Sequence, residues 1–121
     1  MKILIAGSRN ITNKTIINTA IFRGIKKLVP MSNIPDIEII SGGARGVDLE
    51  GEAWARSFNY NIIRFPAQWD KYGKRAGYVR NAEMIAIADA VIAIWDGKSR
   101  GTEHTINLAK AKNLPCYVEI L

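Results

Sequence analysis

The stretch Ser41-Gly42-Gly43-Ala44-Arg45-Gly46-Val47-Asp48 follows the apolar run Ile37 to Ile40, and this junction decides the fold. A short β-branched run, three glycines within five residues and an amphipathic segment predict a strand, a tight turn and a helix. Glycines let the backbone turn sharply and approach a ligand closely, because they carry no Cβ. The start of the helix offers free N–H groups and a positive dipole end, and Arg45 adds a forked positive charge. The stretch therefore predicts an anion site; the alternative is a strand-to-helix turn that holds no ligand.

Length and composition are typical of one cytoplasmic domain. The chain has 121 residues, 48% of them hydrophobic, so we predict a single domain over residues 1–121 with a sizeable core. No apolar run approaches the roughly 18 residues that span a bilayer, and a strand pattern begins at Ile3, which leaves no room for a signal peptide. The single cysteine, Cys116, excludes an intramolecular disulfide and a multi-cysteine metal site. We expect no metal, no cofactor and no membrane partner.

Eight of the 17 basic residues lie in, or just after, segments that follow the predicted strands, whereas basic residues on the predicted helices fit an ordinary solvated surface. There are 17 basic residues against 11 acidic ones, a net charge of +6. Because the loops after strands build the ligand site of an α/β domain, this clustering indicates an anionic partner: a nucleotide, a sugar phosphate or a nucleic acid. The basic residues in such segments are Arg9, Arg45, Lys71, Lys74, Arg75, Arg80, Lys98 and Arg100.

Strand and helix patterns alternate along the chain, which predicts a parallel sheet with helices on both faces. We expect a single Rossmann-like, doubly wound α/β sheet of about five strands in the order 3-2-1-4-5. The predicted strands are Ile3 to Ala6, Ile37 to Ile40, Asn61 to Phe65, Ala90 to Trp95 and Cys116 to Ile120. The predicted helices are one capped by Thr12 and ended by Pro30, then Val47 to Phe58 (inner face Ala53, Trp54 and Phe58), Ala76 to Ala88, and Thr102 to Lys112.

Three loops are expected to line one crevice, because the strand order reverses between strands one and four. They are Gly7-Ser8-Arg9, the glycine turn after Ser41, and the segment from Asp96 to Thr102. A fourth segment, Pro66 to Gly77, is a long polar loop whose Trp69 and Tyr72 can stack on a base.

Two side chains in the later helices are expected to have structural positions. Tyr78 could also stack on a base, but it is expected in the core. His104 has no partner at metal-ligand spacing and is expected to face solvent.

Five motifs, in order, resemble the SLOG superfamily of Rossmann-like domains. The closest branch is the small YspA-type, DUF2493-like domain, and the LOG phosphoribohydrolases and the DNA-processing protein DprA are more distant relatives. The resemblance runs from Ile3 to about Ala109. The motifs are Gly7-Ser8-Arg9, Ser41 to Asp48, Gly73-Lys74-Arg75-Ala76-Gly77, Arg80-Asn81 with Met84, and Trp95-Asp96-Gly97 with Gly101-Thr102.

The resemblance implies a nucleotide or nucleotide-derived ligand, with its phosphates held by the Gly42-Gly43 and Gly101-Thr102 turns. LOG enzymes also pair an arginine in an R-K-x-x-M helix with a glutamate in a G-G-x-G-T-x-x-E turn. Arg80 matches the first pattern, with Asn81 in place of the lysine, whereas Thr105 occupies the glutamate position. Glu103 lies two residues earlier and points about 200° away around a regular helix.

Carboxylates near the predicted site are candidates for chemistry on an N-glycosidic bond, because they can stabilise its oxocarbenium-like transition state. They are Asp48, Asp70, Asp96 and Glu103. Each has a structural alternative, since acids favour the first turn of a helix and aspartates are common in turns. Arg80 and Glu103 are the candidate catalytic residues.

The sequence leaves three functions open. The preferred one is binding, or sensing, of a nucleotide-like ligand in the crevice; the alternatives are hydrolysis of a nucleotide at its glycosidic bond and single-stranded nucleic-acid binding of the DprA type. A homo-oligomer that pairs through the Trp54 or Tyr78 region is a further expectation. The predicted ligand-binding residues are Gly7, Ser8, Arg9, Ser41, Gly42, Gly43, Arg45, Gly46, Asp48, Trp69, Lys74, Arg75, Arg80, Asn81, Asp96, Gly97, Ser99, Gly101 and Thr102.

Overall fold

A computed structural model describes all residues, 1–121, and contains one five-stranded parallel sheet. The strands are β1 (Lys2–Gly7), β2 (Glu38–Ser41), β3 (Asn61–Arg64), β4 (Ala90–Trp95) and β5 (Cys116–Ile120). Their order is β3-β2-β1-β4-β5, which confirms the prediction. β1 and β4 lie side by side at the centre, with Ile3 opposite Ala90 and Gly7 opposite Ile94.

Five α-helices surround the sheet: α1 (Lys14–Leu28), α2 (Val47–Ser57), α3 (Trp69–Tyr72), α4 (Ala76–Ile87) and α5 (Arg100–Ala111). Short 3-10 helices occupy Met31–Asp36 and Gly73–Arg75. The long polar loop after β3 is therefore partly helical. None of the helices combines the length and the apolar character needed to cross a membrane.

The two faces of the sheet carry separate hydrophobic clusters, because alternate side chains of a strand point to opposite faces. On one face, Ile3 and Ile5 of β1 pack with residues of α1 and α2. On the other face, Leu4 and Ala6 pack with residues of α4 and α5. The fold is therefore a doubly wound α/β sheet with two helices on each face, as predicted.

The inner face of α2 differs from the prediction. Val47, Gly51 and Ala55 are buried, whereas Phe58 lies beyond the end of the helix and is exposed. Phe58 packs instead with Trp54 and Tyr60 in an aromatic cluster, with ring centroids 5.0 to 6.1 Å apart. Close approach of α2 to the sheet explains the change, since a Cβ on Gly51 would lie 2.9 Å from Ile5. Large side chains cannot occupy that contact.

The start of α1 also differs from the prediction. Asn13, not Thr12, is the N-cap: its side chain accepts a hydrogen bond from the Ile16 amide at 3.0 Å. The first backbone bond of the helix, from the Ile17 amide to the Asn13 carbonyl, begins at the same residue.

Candidate functional site

A crevice of about 360 Å³ opens at the carboxyl ends of the central strands. The loop after β1, the glycine turn after β2 and the start of α5 meet there. Ser8 ties the loop after β1 to the loop after β4 that leads into α5, because its Oγ accepts a hydrogen bond from the Asp96 amide at 3.0 Å. We call this space the inner compartment; it is lined by Ala6, Gly7, Arg9, Asn10, Ala44, Arg45, Asp48, Arg80, Asn81, Met84, Ser99, Gly101, Thr102 and Thr105.

A second space of about 230 Å³, the outer compartment, adjoins the first. Arg9, Arg80, Asn81 and Gly101 line both compartments. The outer compartment adds Trp69, Lys74, Gly77 and Tyr78. The crevice as a whole thus has a polar inner end and an outer end that carries two aromatic rings. We call the part between them, where Arg9 and Arg80 line both compartments, the waist.

The structure brings most of the predicted side chains to this crevice and leaves others outside it. Predicted residues that line the inner compartment are Gly7, Arg9, Arg45, Asp48, Arg80, Asn81, Ser99, Gly101 and Thr102. Trp69 and Lys74 line the outer compartment, together with those that the two share. Predicted residues that line neither are Ser8, Ser41, Gly42, Gly43, Gly46, Arg75, Asp96, Gly97 and Glu103.

Within the glycine turn, Ala44 and Arg45 line the crevice, whereas Gly42, Gly43 and Gly46 lie behind it. The Gly43 amide donates to Ser41 Oγ at 3.1 Å, and the Ala44 amide donates to Asp48 Oδ2 at 3.2 Å. A protein acceptor therefore already occupies the Gly43 amide, in one of the two turns that the family resemblance implies for phosphate. Gly43 and Gly46 have φ values of +70° and +81°, which favour glycine. A Cβ on Gly46 would also lie 2.6 Å from the Arg9 carbonyl oxygen.

A buried carboxylate ties the glycine turn to β3. Glu52 of α2 is only 3% exposed. Arg64 of β3 donates two hydrogen bonds to it, at 3.0 and 2.8 Å, and Ser41 Oγ donates a third at 2.6 Å. These donors outweigh the effect of burial and hold the pKa of Glu52 below its usual value. Ser41 and Glu52 thus have a structural role, because their hydrogen bonds fix the start of the glycine turn to α2 and β3.

Asp96 has a similar supporting role in the loop after β4. Its Oδ1 accepts hydrogen bonds from the Lys98 and Ser99 amides, both at 2.8 Å. These bonds lower the pKa of Asp96 and close the turn that leads into α5. The turn places Ser99, Gly101 and Thr102 against the crevice.

Arg80 is the central side chain of the waist. Its Nη1 donates to the Gly42 carbonyl oxygen at 2.8 Å, and its Nε donates to Asn81 Oδ1 at 3.0 Å. Burial lowers the pKa of Arg80; Asp48 opposes this effect and the positive charge of Arg9 adds to it. The two hydrogen bonds therefore hold the guanidinium group in place between Asp48 and Arg9.

Asn81 and His104 support Arg80 from the α5 side. Asn81 Nδ2 donates to the Gly101 carbonyl oxygen at 3.3 Å and lies 3.2 Å from His104 Nδ1, which acts as the acceptor. The imidazole packs on Tyr78, with ring centroids 4.5 Å apart, and partial burial lowers its pKa. His104 is thus half-buried in a side-chain network, which corrects the expectation that it faces solvent.

Asp48 is the one carboxylate on the lining of the crevice. It is 7% exposed, and burial raises its pKa from 3.8 to about 6, against the lowering effects of the Ala44 amide, Arg80 and the Gly7 amide. Glu103, the candidate catalytic carboxylate, is exposed on α5 and does not reach the crevice. Thr105, in the glutamate position of the LOG pattern, lines the crevice and donates to the Gly101 carbonyl oxygen at 3.2 Å.

Several lining residues were not among the predicted ligand-binding residues: Ala6, Asn10, Ala44, Gly77, Tyr78, Met84 and Thr105. Helical spacing could have identified Gly77 and Met84, which lie three residues before and four after Arg80 on one helix. Tyr78 was expected in the core but is 48% exposed. Its helix turns this ring towards His104 and the outer compartment and not towards the sheet.

Comparison with known proteins agrees with the resemblance seen in the motifs. Residues 1–72 match the YAcAr family, described as YspA, cpYpsA-related SLOG. The chain is also 32% identical, over 120 residues, to the Gene 61 protein of Mycobacterium phage D29; the match covers 94% of this chain and 92% of that protein. The chain therefore belongs to the YspA, cpYpsA-related SLOG family, a membership that is consistent with nucleotide-related binding.

Proposed function

We propose that the crevice binds a nucleotide or nucleotide-derived ligand through its phosphate groups and releases it unchanged. The observation that carries this proposal is the shared waist: Arg9 and Arg80 line both compartments, so one anionic group can contact both guanidinium groups. Arg45 and Lys74 extend the positive charge to the two ends. Arginine forks suit phosphate oxygens, with which they form charge-assisted hydrogen bonds.

The rest of the crevice supports the same class of ligand. The amides of Gly101 and Thr102, in the first turn of α5, have no protein acceptor and lie at the lining, where a helix start favours an anion. Trp69 and Tyr78, both about half exposed, offer aromatic faces in the outer compartment. A base that stacks there would leave its phosphates at the arginine waist.

Binding without turnover is preferred to hydrolysis because the crevice lacks the expected pair of catalytic groups. Arg80 is present, but Thr105 replaces the glutamate and Glu103 lies outside the crevice. Hydrolysis of the glycosidic bond remains the alternative, in which case Asp48 is the carboxylate to test. Nucleic-acid binding is the second alternative, supported by exposed Lys71 and Arg75 in the segment after β3 that also carries Trp69.

The test is a set of equilibrium titrations with AMP, ADP, ADP-ribose and a short single-stranded DNA, in which binding is measured by the change in tryptophan fluorescence. Arg9→Gln is the cleanest variant, because the Arg9 side chain is exposed and makes no hydrogen bond within the protein. We expect Arg9→Gln and Arg80→Gln each to weaken binding by about tenfold to a hundredfold, the value of a charge-assisted hydrogen bond. Arg56→Gln, an equal loss of charge at the far end of α2, is the control and should bind normally.

The outcomes separate the three functions. Equal binding by wild type and Arg9→Gln would contradict the proposed site. Free base in an incubated sample would favour hydrolysis, and loss of that product in Asp48→Asn would assign the carboxylate. Binding of DNA alone, with an affinity that falls steeply as salt rises, would favour the nucleic-acid function.

A further inference from the structure

Asp48 has surroundings that the proposed binding function does not explain. Its carboxyl group is buried, yet it lines the inner compartment, where an anionic ligand is expected. It accepts one close hydrogen bond, from the Ala44 amide at 3.2 Å. An ionised carboxylate in that position would repel a bound anion.

Charged groups from α2, α4, the loop after β1 and the glycine turn surround Asp48, whereas α5 presents only uncharged residues to the same compartment. Arg80 of α4 attracts it and Glu52 of its own helix repels it. Arg9 and Arg45 line the same compartment from the loop after β1 and from the glycine turn. Glu52 is already neutralised by Arg64, so Arg80 is the main cation available to Asp48.

Arg80 is close to Asp48 but is not paired with it directly. A Cβ placed on Gly42 would lie 2.7 Å from Arg80 Nη1 and 3.0 Å from Asp48 Oδ2, so both groups flank the same backbone position. The arginine nevertheless donates to Gly42 and Asn81 and forms no ion pair. An anion that binds at the waist would therefore compete with ionised Asp48 for the positive charge of Arg80.

We propose that the crevice takes up an anion and a proton together, with Asp48 accepting the proton and then donating a hydrogen bond to an anionic oxygen of the ligand. This inference rests on the proposed binding function. Protonation removes the repulsion between the two negative charges and converts Asp48 from an acceptor into a donor. Asp48 thereby becomes a ligand-contacting residue that favours the anionic form of the ligand.

The free protein is prepared for this exchange. Burial already brings the pKa of Asp48 to about 6. The group is therefore mostly ionised at neutral pH, but protonating it costs little free energy. A bound anion raises that pKa further, since a like charge disfavours the ionised form. By linkage, affinity must then fall as the pH rises between the pKa of the free protein and that of the complex.

The test uses inorganic sulfate, whose charge does not change in this range, and ADP-ribose, whose pyrophosphate diester also does not titrate there. Dissociation constants are measured from about pH 5.5 to about pH 8, and we expect an increase on the order of tenfold in wild type between about pH 6 and about pH 8. Asp48→Asn should show no such increase. Asp70→Asn, on exposed α3, should keep it. His104→Gln removes the other nearby titrating group and the contact with Asn81, so it should lower the affinity at every pH but keep the increase with pH.

A second measurement needs no variant. Calorimetry of sulfate binding in buffers of different ionisation enthalpy counts the protons taken up, and near pH 7 we expect between about half a proton and one proton per anion. No proton uptake by wild type, or an unchanged pH dependence in Asp48→Asn, would overturn the role of Asp48 and leave the binding function intact. Absence of anion binding at every pH would overturn both proposals.

Discussion

Gly42 shows at the scale of one residue why this turn needs a glycine. The guanidinium group of Arg80 reaches over it to bond its carbonyl oxygen, and the carboxyl group of Asp48 lies on the same side. The backbone of Gly42 is not in the left-handed region, so sterics at the Cβ position and not φ require glycine there. The guanidinium group of Arg80 occupies the space that a side chain at position 42 would fill.

Gly42→Ala should therefore impair binding more than stability. The new methyl group meets the flexible tips of Arg80 and Asp48, which can move aside, so we expect the free energy of unfolding to fall by less than about 1 kcal/mol. The displaced arginine should weaken anion binding by about tenfold or more. Urea unfolding and fluorescence titration measure the two effects. Gly101→Ala, where a Cβ meets nothing within 4 Å, is the control for stability and should be neutral or slightly stabilising.

Asp48→Asn should stabilise the protein at neutral pH, because an amide mimics the protonated acid. The pKa of Asp48 is raised in the folded state from 3.8 to about 6, so its stabilising contribution is complete below 3.8 and is lost as the pH rises through about 6. Above that pH the variant should be more stable by up to roughly 3 kcal/mol, the free energy of such a pKa difference. Urea unfolding at about pH 4 and about pH 8 tests this; a larger gain at the lower pH would contradict the assignment.

At the scale of elements, the first turn of α1 and the inner face of α2 show which features of a helix are set by local sequence and which by tertiary contacts. Helix periodicity placed both helices correctly, but the contacts at their ends and faces differ from the prediction. In α1 the cap lies one residue later, and in α2 the small residues Gly51 and Ala55 face the sheet while Trp54 and Phe58 pack on each other.

Asn13→Ala should destabilise the protein by about 1 kcal/mol, the usual value of an N-cap side chain. The reason is the hydrogen bond that Asn13 Oδ1 accepts from the Ile16 amide. Thr12→Ala is the matched control and should leave the urea midpoint almost unchanged. If Thr12→Ala were the more costly substitution, the cap would be Thr12, as the sequence had suggested.

At the scale of the whole molecule, stability should be greatest in the two central strands. Ile3, Leu4 and Ile5 of β1 and residues 90–94 of β4 are fully buried, whereas both edge strands are partly exposed. Native-state hydrogen exchange should therefore be slowest in β1 and β4 and faster by about tenfold or more in β3 and α3. Equal protection of β3 and β1 would mean that the sheet opens only as a unit. Ligand binding should add protection in α3 and at the start of α5, which flank the crevice.

The alternation of apolar runs and amphipathic segments was enough to predict the fold. Each strand of a parallel sheet is apolar because it is buried, and each helix carries one apolar face, so the pattern is local and visible in the sequence. The predicted strand order is the one typical of a doubly wound sheet with this alternation, and the structure has it. The junction of β2, glycine turn and α2 also showed where the crevice would open.

Only the tertiary structure decided which side chains reach that crevice. Glycines 42 and 43 support Arg80 and Ser41 from behind, Glu103 lies outside, and Tyr78 and Thr105 line the crevice. These outcomes depend on contacts between residues far apart in the chain, such as Arg80 with Gly42 or Asn81 with His104. Periodicity specifies the face of a helix, but the distance and tilt at which two elements pack determine what that face meets, and packing is a property of the assembled molecule.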